Sequence, residues 1–380
     1  RRVLFRSNLE IDNFFCFKDF SINFSYKRKL NKSTIPYEYL EDYPNFRFKK
    51  LNILMGSNAS GKTVFGKMLM VIFNFLEQRN LNLLLDAINL NTEEAKFTLD
   101  FILPNSISKK SLYRLEVVIF KNIVEKLELI ECELEKLDSF EIALERLLSS
   151  GKRETLFKSK NNNEEKMELV LTREMKDLLE KLSNFGWYFC FPEEGVDKPR
   201  YRKNVLEIIL KTFDTSITKV EKVKNTNNGF LIYFTHGKNL LIQDGKPPAG
   251  NNMLSSGTKE GIKIAEVITA ILDLKNRPFY IDEQFVHVHP EIEKTIISII
   301  IDLIGKESQV FFTTHNLEIL DMNLPIHSFV FLHRDKYITE VIYPEKILVN
   351  KNDRGLKNLA ENNLFNTIPD VSLLETISEE

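Results

Sequence analysis

The feature that most constrains this chain is an eight-residue loop, GSNASGKT at residues 56–63, which fits the pattern G-x-x-x-x-G-K-[ST]. It follows the apolar run LNILM at 51–55 and precedes a helix-like stretch at 64–77. Strand, glycine-rich loop and helix in this order let backbone N–H groups surround phosphate oxygens, while the helix N-terminus adds a partial positive charge. The sequence therefore predicts a phosphate-binding loop in an α/β fold.

The two last positions of this loop have specific expected contacts. Lys62 would reach the β- and γ-phosphates of a nucleotide, and the Thr63 hydroxyl would hold Mg²⁺. A glycine-rich turn with an incidental lysine is the alternative, which the flanking strand and helix disfavour. The expected nucleotide-binding residues of the loop are Gly56, Ser57, Asn58, Ala59, Ser60, Gly61, Lys62 and Thr63.

A pair of acidic residues follows a second apolar run. RPFYI at 277–281 predicts a short buried strand that ends at Asp282 and Glu283. Acidic groups at the carboxyl end of a strand suit a nucleotide site. Asp282 would hold Mg²⁺ through water, and Glu283 would polarise the attacking water. The pattern alone fits a strand that runs into a solvated turn, but beside the phosphate loop it favours the nucleotide site.

Two further polar groups stand at the start of a helix and at the end of a strand. Ser255, Ser256 and Gly257 open a helix-like run, where they would either bind an anion or simply cap the helix. QVFFTTH at 309–315 is another short apolar run, and it leaves His315 available to hydrogen-bond a γ-phosphate. A lone histidine at a strand end usually has no special role, so neither pattern is decisive by itself.

In this order, the four patterns resemble the P-loop, signature motif, Walker B pair and switch histidine of ABC-type ATPases. Three details resemble the RecF and SMC branch, which includes the ABC-type AAA family ATPases of prokaryotic DNA repair and phage defence. They are the opening NLEIDNFFCFKDF at 8–20, the loop GSNASGKT, and the triplet HPE at 289–291. The resemblance covers residues 8–130 and 216–335.

Two departures from the family pattern concern communication between sites. Residues 284–288 lack the usual D-loop aspartate. No glutamine fits the Q-loop position, because Gln78 is merely near and is expected on a helix surface.

The resemblance implies a P-loop α/β core with a mainly parallel sheet flanked by helices, an antiparallel β subdomain and a helical insertion. It also implies binding and hydrolysis of ATP with Mg²⁺ in a homodimer. Ser255, Ser256 and Gly257 of the second subunit would close on the γ-phosphate. Lys62, Glu283 and His315 would be the catalytic residues, and Thr63 and Asp282 the magnesium ligands. A role in DNA repair, phage defence or abortive infection is the expected biology.

The expected domain organisation divides the chain around an insertion. The ATPase core is interrupted, with its N-terminal lobe before the insertion and its C-terminal lobe, which carries the signature, Walker B and histidine motifs, after it. The expected boundaries are a non-native leader at 1–7, the N-terminal lobe at 8–130, a helical arm or lid at 131–215, the C-terminal lobe at 216–345 and a tail at 346–380.

Composition excludes few partners. The formal net charge of −2 argues against indiscriminate coating of nucleic acid, although a local basic patch leaves DNA or RNA open. Cys16, Cys132 and Cys190 lack the spacing of a disulfide framework or zinc site. The most apolar helical stretch, 295–304, is too short to span a bilayer, so we expect a cytoplasmic protein without a membrane segment.

Three other functions compete with a hydrolysing dimer. The ATPase could gate a separate nuclease or toxin chain, it could serve a transporter, or it could use ATP only to hold a non-hydrolysing scaffold together. The strand-rich opening and long insertion disfavour a transporter subunit. The intact Lys62, Asp282 and Glu283 argue against the scaffold.

Overall fold

The computed structural model describes most of the chain, namely residues 5–27, 33–78, 82–89, 91–104, 109–157, 187–192, 199–226, 228–249, 252–274, 277–285, 288–336, 338–348, 355–368 and 377. The strands within these residues, in chain order, are β1 (Phe5–Asp12), β2 (Phe20–Asn23), β3 (Tyr39–Leu40), β4 (Tyr43–Arg47), β5 (Leu51–Met55), β6 (Glu94–Pro104), β7 (Lys110–Phe120), β8 (Ile123–Glu133), β9 (Lys152–Phe157), β10 (Tyr188–Cys190), β11 (Ile217–Lys222), β12 (Gly229–Phe234), β13 (Asn239–Gln243), β14 (Phe279–Asp282), β15 (Val310–Thr313), β16 (Phe329–Asp335) and β17 (Ile338–Ile342).

The helices lie between these strands and after them. They are α1 (Lys62–Gln78), α2 (Asn82–Leu85), α3 (Phe140–Ser150), α4 (Lys203–Phe213), α5 (Ser256–Asp273), α6 (Pro290–Leu303), α7 (Pro344–Ile347) and α8 (Leu356–Glu361), with two short 3₁₀ turns at Leu317–Asp321 and Ile326–Ser328. None of the helices in the described ranges is long and apolar enough to cross a membrane.

Two six-stranded sheets form the frame of the molecule. The core sheet has the order β10-β14-β15-β5-β16-β17, and all its neighbouring strands are parallel except the β16–β17 hairpin. The second sheet has the order β2-β1-β6-β7-β8-β9 and is antiparallel throughout. The predicted mainly parallel core with an antiparallel β subdomain is therefore confirmed.

The core sheet is covered on both faces, as its continuous apolar strands require. Leu54 and Phe311 pack with α1 on one face, and this cluster extends to Leu99 in the antiparallel sheet. Their sequence neighbours Ile53 and Phe312 pack with α5 and α6 on the other face. Because successive side chains of a strand point to opposite faces, each core strand stabilises both layers.

The contact between α1 and β14 is close enough to require glycine. A Cβ on Gly66 would lie 2.3 Å from Cε1 of Tyr280. The Tyr280 hydroxyl also donates a hydrogen bond of 2.6 Å to the Lys62 carbonyl at the start of α1. This contact fixes the first turn of α1 beside the carboxyl end of β14.

The segment expected to be a helical insertion, 131–215, contains strands beside its helices. β9 pairs antiparallel with β8, and β10 pairs parallel with β14, so the description as helical is wrong for these two strands. β9 is an edge strand whose first residues are charged and exposed, and this hides its strand pattern. β10 is too short to show a period. Residues 158–186 and 193–198 of this segment lie outside the described residues, and its boundaries stay a prediction.

The two ends of the chain pack onto these sheets where they are described. Residues 5–7 of the predicted leader lie in β1, which pairs with β6. In the predicted tail, Leu359 and Ala360 of α8 are buried in the cluster formed by α5 and α6. Phe365 stacks on Phe331 of β16 with ring centroids 4.2 Å apart. The described part of the tail thus supports the core sheet.

Candidate functional site

The predicted phosphate loop lies between β5 and α1, at the carboxyl edge of the core sheet. Gly56 has a φ of +157° and Gly61 a φ of +103°. A Cβ on Gly56 would lie 2.3 Å from the carbonyl oxygen of Leu332 in β16, so glycine is needed for this close approach. Ala59 also has a positive φ, +60°, which is uncommon for a residue with a side chain. The loop is held in a tightly curled conformation.

Lys62 is buried at the centre of this curl. Its ammonium group donates to the carbonyl oxygens of Gly56 at 3.0 Å and Ser57 at 3.1 Å, and it lies 3.6 Å from a carboxylate oxygen of Glu283. Burial lowers the pKa of Lys62 below its ordinary value, and the charges of Glu283 and Asp282 oppose that effect. A polyphosphate in the loop would supply the negative charge that best compensates this buried cation.

Asp282 is fully buried at the end of β14 and is held by two hydroxyl groups. Thr63 Oγ1 donates to Oδ2 at 2.7 Å, and Thr313 Oγ1 donates to Oδ1 at 2.7 Å. Burial raises the pKa of Asp282, and these hydrogen bonds oppose the rise. A hydroxyl and a carboxylate side by side are hard oxygen ligands, which fit Mg²⁺ when phosphate and water complete its coordination. The predicted magnesium ligands therefore lie together.

Glu283 has a strained backbone and a defined hydrogen-bond partner. Its φ is +44°, and its backbone N–H donates to Thr313 Oγ1 at 2.9 Å, which holds it in this conformation. One carboxylate oxygen lies 2.6 Å from Nε2 of His315. This hydrogen bond lowers the pKa of Glu283, with further help from Lys62 against the effect of burial. Strained residues held in this way are concentrated at active sites.

The residues predicted for catalysis thus lie together. The predicted signature residues lie instead at the start of α5. Ser255 is the N-cap of α5, and its Oγ accepts from the Thr258 backbone N–H at 3.0 Å. Ser255 and Ser256 are exposed and Gly257 is partly exposed. Within the part of the chain that the structure describes, no hydrogen bond or ion pair joins these three residues to the phosphate loop. Within one subunit the capping role of Ser255 is the one that the geometry shows.

Glu293 is a residue that the motifs did not predict. It lies buried near the start of α6 and accepts hydrogen bonds from Thr314 Oγ1 at 2.8 Å and Asn316 Nδ2 at 2.7 Å. These two residues flank His315, so Glu293 holds the loop that carries the histidine. Burial raises the pKa of Glu293. The polar run THN at 314–316, directly after β15, was the available signal, but only the tertiary structure shows which residue accepts its hydrogen bonds.

Arg334 is a second such residue. It lies at the end of β16 and lines the same cleft as residues 58–64 and Glu283. The triplet HRD at 333–335 matches a kinase catalytic loop by letters only, which gave this arginine no role in the sequence. Its place in the cleft follows from the pairing of β16 with β5, which the sequence does not display.

Comparison with known families agrees with this geometry. The family described as "AAA domain, putative AbiEii toxin, Type IV TA system" matches residues 51–321, which is more than half of the chain. The chain belongs to this AAA family. The predicted P-loop ATPase is thereby confirmed. A search of curated proteins finds no match.

Several solved structures are similar to this AAA protein. The SMC head domain from Thermotoga maritima has a TM-score of 0.42 at 10% identity, covering 89% of this chain and 98% of that chain. The Smc head domain with an extended coiled coil, bound to the C-terminal domain of ScpA derived from Pyrococcus furiosus, has a TM-score of 0.46 at 12% identity, with coverages of 91% and 98%. The recombination mediator protein RecF with ATP has a TM-score of 0.42 at 11% identity, with coverages of 90% and 98%.

Proposed function

We propose that this ATPase binds Mg²⁺ and ATP at residues 56–63 and hydrolyses ATP between two copies of the chain. The observation that carries the proposal is the convergence of Lys62, Asp282, Glu283 and His315 at one edge of the core sheet. Lys62 begins α1, Asp282 and Glu283 are adjacent at the end of β14, and His315 lies in the loop after β15. Such an arrangement is expected of a site that binds a polyphosphate and activates water beside it.

In this mechanism Glu283 orients the attacking water and accepts a proton from it. The hydrogen bond from His315 and the charge of Lys62 keep Glu283 as a carboxylate, the form that can act as a base. Lys62 stabilises the negative charge on the transferred phosphoryl group. Thr63 and Asp282 would hold Mg²⁺, which supplies further neutralisation of phosphate charge when bound.

The second copy would contribute Ser256 and Gly257 at the start of α5. An exposed helix N-terminus is a favourable place for an anion, because its N–H groups and its dipole both attract negative charge. In a two-fold pair, the α5 N-terminus of each subunit would face the phosphate loop of the other. Hydrolysis would remove the γ-phosphate that holds the halves together, so nucleotide turnover would open the dimer.

The proposed biological role is phage defence or abortive infection, in which the ATPase acts with a separate nuclease or toxin chain on DNA or RNA. The support is the description of the matched family, which names a putative AbiEii toxin of a type IV toxin–antitoxin system. Opening and closing of the proposed dimer would couple nucleotide turnover to such a partner. A repair role of the same ATPase is the second candidate.

Steady-state ATP turnover across a range of protein concentrations tests the composite site. We expect turnover to rise more than linearly with concentration, and Glu283→Gln to abolish turnover while ATP-bound dimers accumulate in size-exclusion chromatography. Glu291→Gln is the matched control, since Glu291 is exposed and pairs with Lys294 outside the cleft. Turnover strictly proportional to concentration, with only monomer present in the ATP-bound protein, would exclude the composite site. ATP binding without turnover in the unmodified protein would favour the scaffold.

A further inference from the structure

The phosphate loop has different neighbours on its two sides. In the core sheet β5 lies between β15 and β16, and β14 follows β15. Asp282, Glu283 and His315 come from β14, from the loop after it and from the loop after β15. The reacting end of a nucleotide therefore belongs on the β15 side of the loop. A nucleotide lying along the loop extends its other end toward β16.

Arg334 stands on that other side. Phe331 of β16 pairs with Met55, the last residue of β5, so Arg334 lies beyond the end of β5 and beside the loop. It pairs across the hairpin with Thr339, whose side chain would be 3.4 Å from a Cβ on Gly61. The β16–β17 hairpin thus packs against the loop, and Arg334 reaches its cleft.

The guanidinium of Arg334 has no acidic or carbonyl partner among the residues that the structure describes. Its Nε is buried and makes no hydrogen bond there. An unsatisfied buried donor destabilises a fold, and few such groups persist without a reason. The fork of guanidinium donors matches the spacing of phosphate oxygens. A half-buried arginine in this cleft, whose donors have no protein partner within the described ranges, is therefore arranged for a phosphate ligand.

We propose that Arg334 binds the α-phosphate of the nucleotide held by its own subunit. The proposal rests on the placement of ATP at residues 56–63 argued above. The α-phosphate is present in ATP and ADP and does not react, so a contact to it stabilises the bound substrate and the transition state equally. Such a contact lowers KM and leaves kcat unchanged.

Binding of ADP, ATP and inorganic tripolyphosphate to Arg334→Gln by calorimetry, with Mg²⁺ present, tests the proposal. A hydrogen bond to a charged group is worth roughly 1.5–3 kcal/mol, so the Kd of all three should rise about tenfold or more. KM for ATP should rise by a similar factor while kcat stays within about twofold. Arg334→Lys keeps the positive charge but loses the forked donors, so its Kd values should lie between those of the unmodified protein and those of Arg334→Gln. Lys238→Gln removes a positive charge from the exposed β12–β13 turn and should change nothing.

Three results would overturn this assignment. An unchanged Kd for both ADP and ATP excludes a role in binding the nucleotide. Weaker ATP binding with normal ADP binding means that Arg334 contacts the γ-phosphate. Weaker nucleotide binding with normal tripolyphosphate binding means that the guanidinium contacts the base or the sugar. Thermal melting of Arg334→Gln and Arg334→Lys checks that both variants are folded.

Lys62→Ala separates this inference from the site on which it rests. If Lys62→Ala loses nucleotide binding and Arg334→Gln does not, only the role of Arg334 fails. If Lys62→Ala binds ADP normally, the placement of the nucleotide in the loop fails as well.

Discussion

Each of the two large sheets contains a buried or half-buried arginine, and the two arginines differ in what they contact. In the antiparallel sheet, Arg114 of β7 pairs with the fully buried Asp100 of β6. Its Nε lies 2.7 Å from Oδ1 and its Nη2 lies 2.8 Å from Oδ2. In the core sheet, Arg334 reaches the phosphate cleft and has no such partner among the described residues. The first arginine completes the fold, and the second is available to a ligand.

Other charged residues of the two sheets also differ in whether the protein compensates the cost of placing them there. At the carboxyl edge of the core sheet, Glu283 has a positive φ and Lys62 has a lowered pKa because of burial. Strain and unfavourable burial of charge reduce the stability of a fold, and a fold tolerates them where a ligand or a reaction uses them. The antiparallel sheet instead compensates its buried charge with the partner beside it. Mutations in the two sheets should therefore separate stability from activity.

The largest expected effect is the loss of stability in Arg114→Met. This change leaves the Asp100 carboxylate buried without its partner, which costs about 3–5 kcal/mol. Urea denaturation measures the cost, and ATP turnover per folded molecule should stay near normal. The double variant Arg114→Met/Asp100→Leu removes both charges and should recover most of the stability. If Arg334→Met were as destabilising as Arg114→Met, the distinction between the two arginines would be wrong.

A loss of turnover without a comparable loss of stability is expected for Lys62→Met. Removing a donor that stabilises transition-state charge lowers kcat on the order of 10²–10³-fold. The free energy of unfolding should change little, because the ammonium group is itself destabilised by burial. Turnover and urea denaturation of the same preparation measure both quantities. A strongly destabilised Lys62→Met would show that Lys62 also has a structural role like that of Arg114.

Glu266 of α5 is an intermediate case, because its partners are hydroxyl groups rather than a cation. Tyr188 donates to it at 3.2 Å and Tyr201 at 3.5 Å, and burial raises its pKa from 4.5 to about 7. The folded state therefore binds the proton more tightly than the unfolded state. The protonated Glu266 side chain contributes its full share to the free energy of unfolding below pH 4.5. This contribution, up to about 3 kcal/mol, is lost as the pH rises to about 7.

We expect Glu266→Gln to remove this loss and to exceed the unmodified protein in stability at pH 8. Tyr188→Phe should move the loss to higher pH, since the Tyr188 hydrogen bond opposes the rise in pKa. Thermal melting of the three proteins between pH 4 and 8 tests both expectations. An unchanged pH dependence in Glu266→Gln would mean that Glu266 is not responsible for it.

The sequence predicted that the residues proposed to react lie close together, and it did not predict the other side of the cleft. Asp282, Glu283 and His315 lie at or just after the ends of short apolar strands. Because parallel strands have their carboxyl ends at the same edge of a sheet, these residues lie close together in the fold. Arg334 depends on the pairing of β16 with β5, and Glu293 on the approach of α6 to the loop after β15. Neither contact leaves a local period or spacing in the sequence. Long-range register of this kind appears only when the chain is folded.

The smallest expected effect on stability concerns the start of α5. Ser255→Ala removes the N-cap hydrogen bond to Thr258 and should cost about 1 kcal/mol in the free energy of unfolding. Ser256 is exposed, and Ser256→Ala should change stability by less than about 0.5 kcal/mol. Urea denaturation of both variants measures the difference. An equal loss of stability in both would mean that the two serines share the capping role.

Mixing two inactive variants then shows whether Ser256 acts on the other subunit. Ser256→Arg should disable only the composite site that contains this helix N-terminus, without affecting the fold, and Lys62→Met disables the loop of its own subunit. In a two-fold pair, a mixed dimer puts both defects into one composite site and leaves the other site intact. ATP turnover should therefore reappear when the two inactive proteins are combined. If Ser256 instead served the loop of its own subunit, each half of the mixed dimer would carry one defect, and turnover would stay absent.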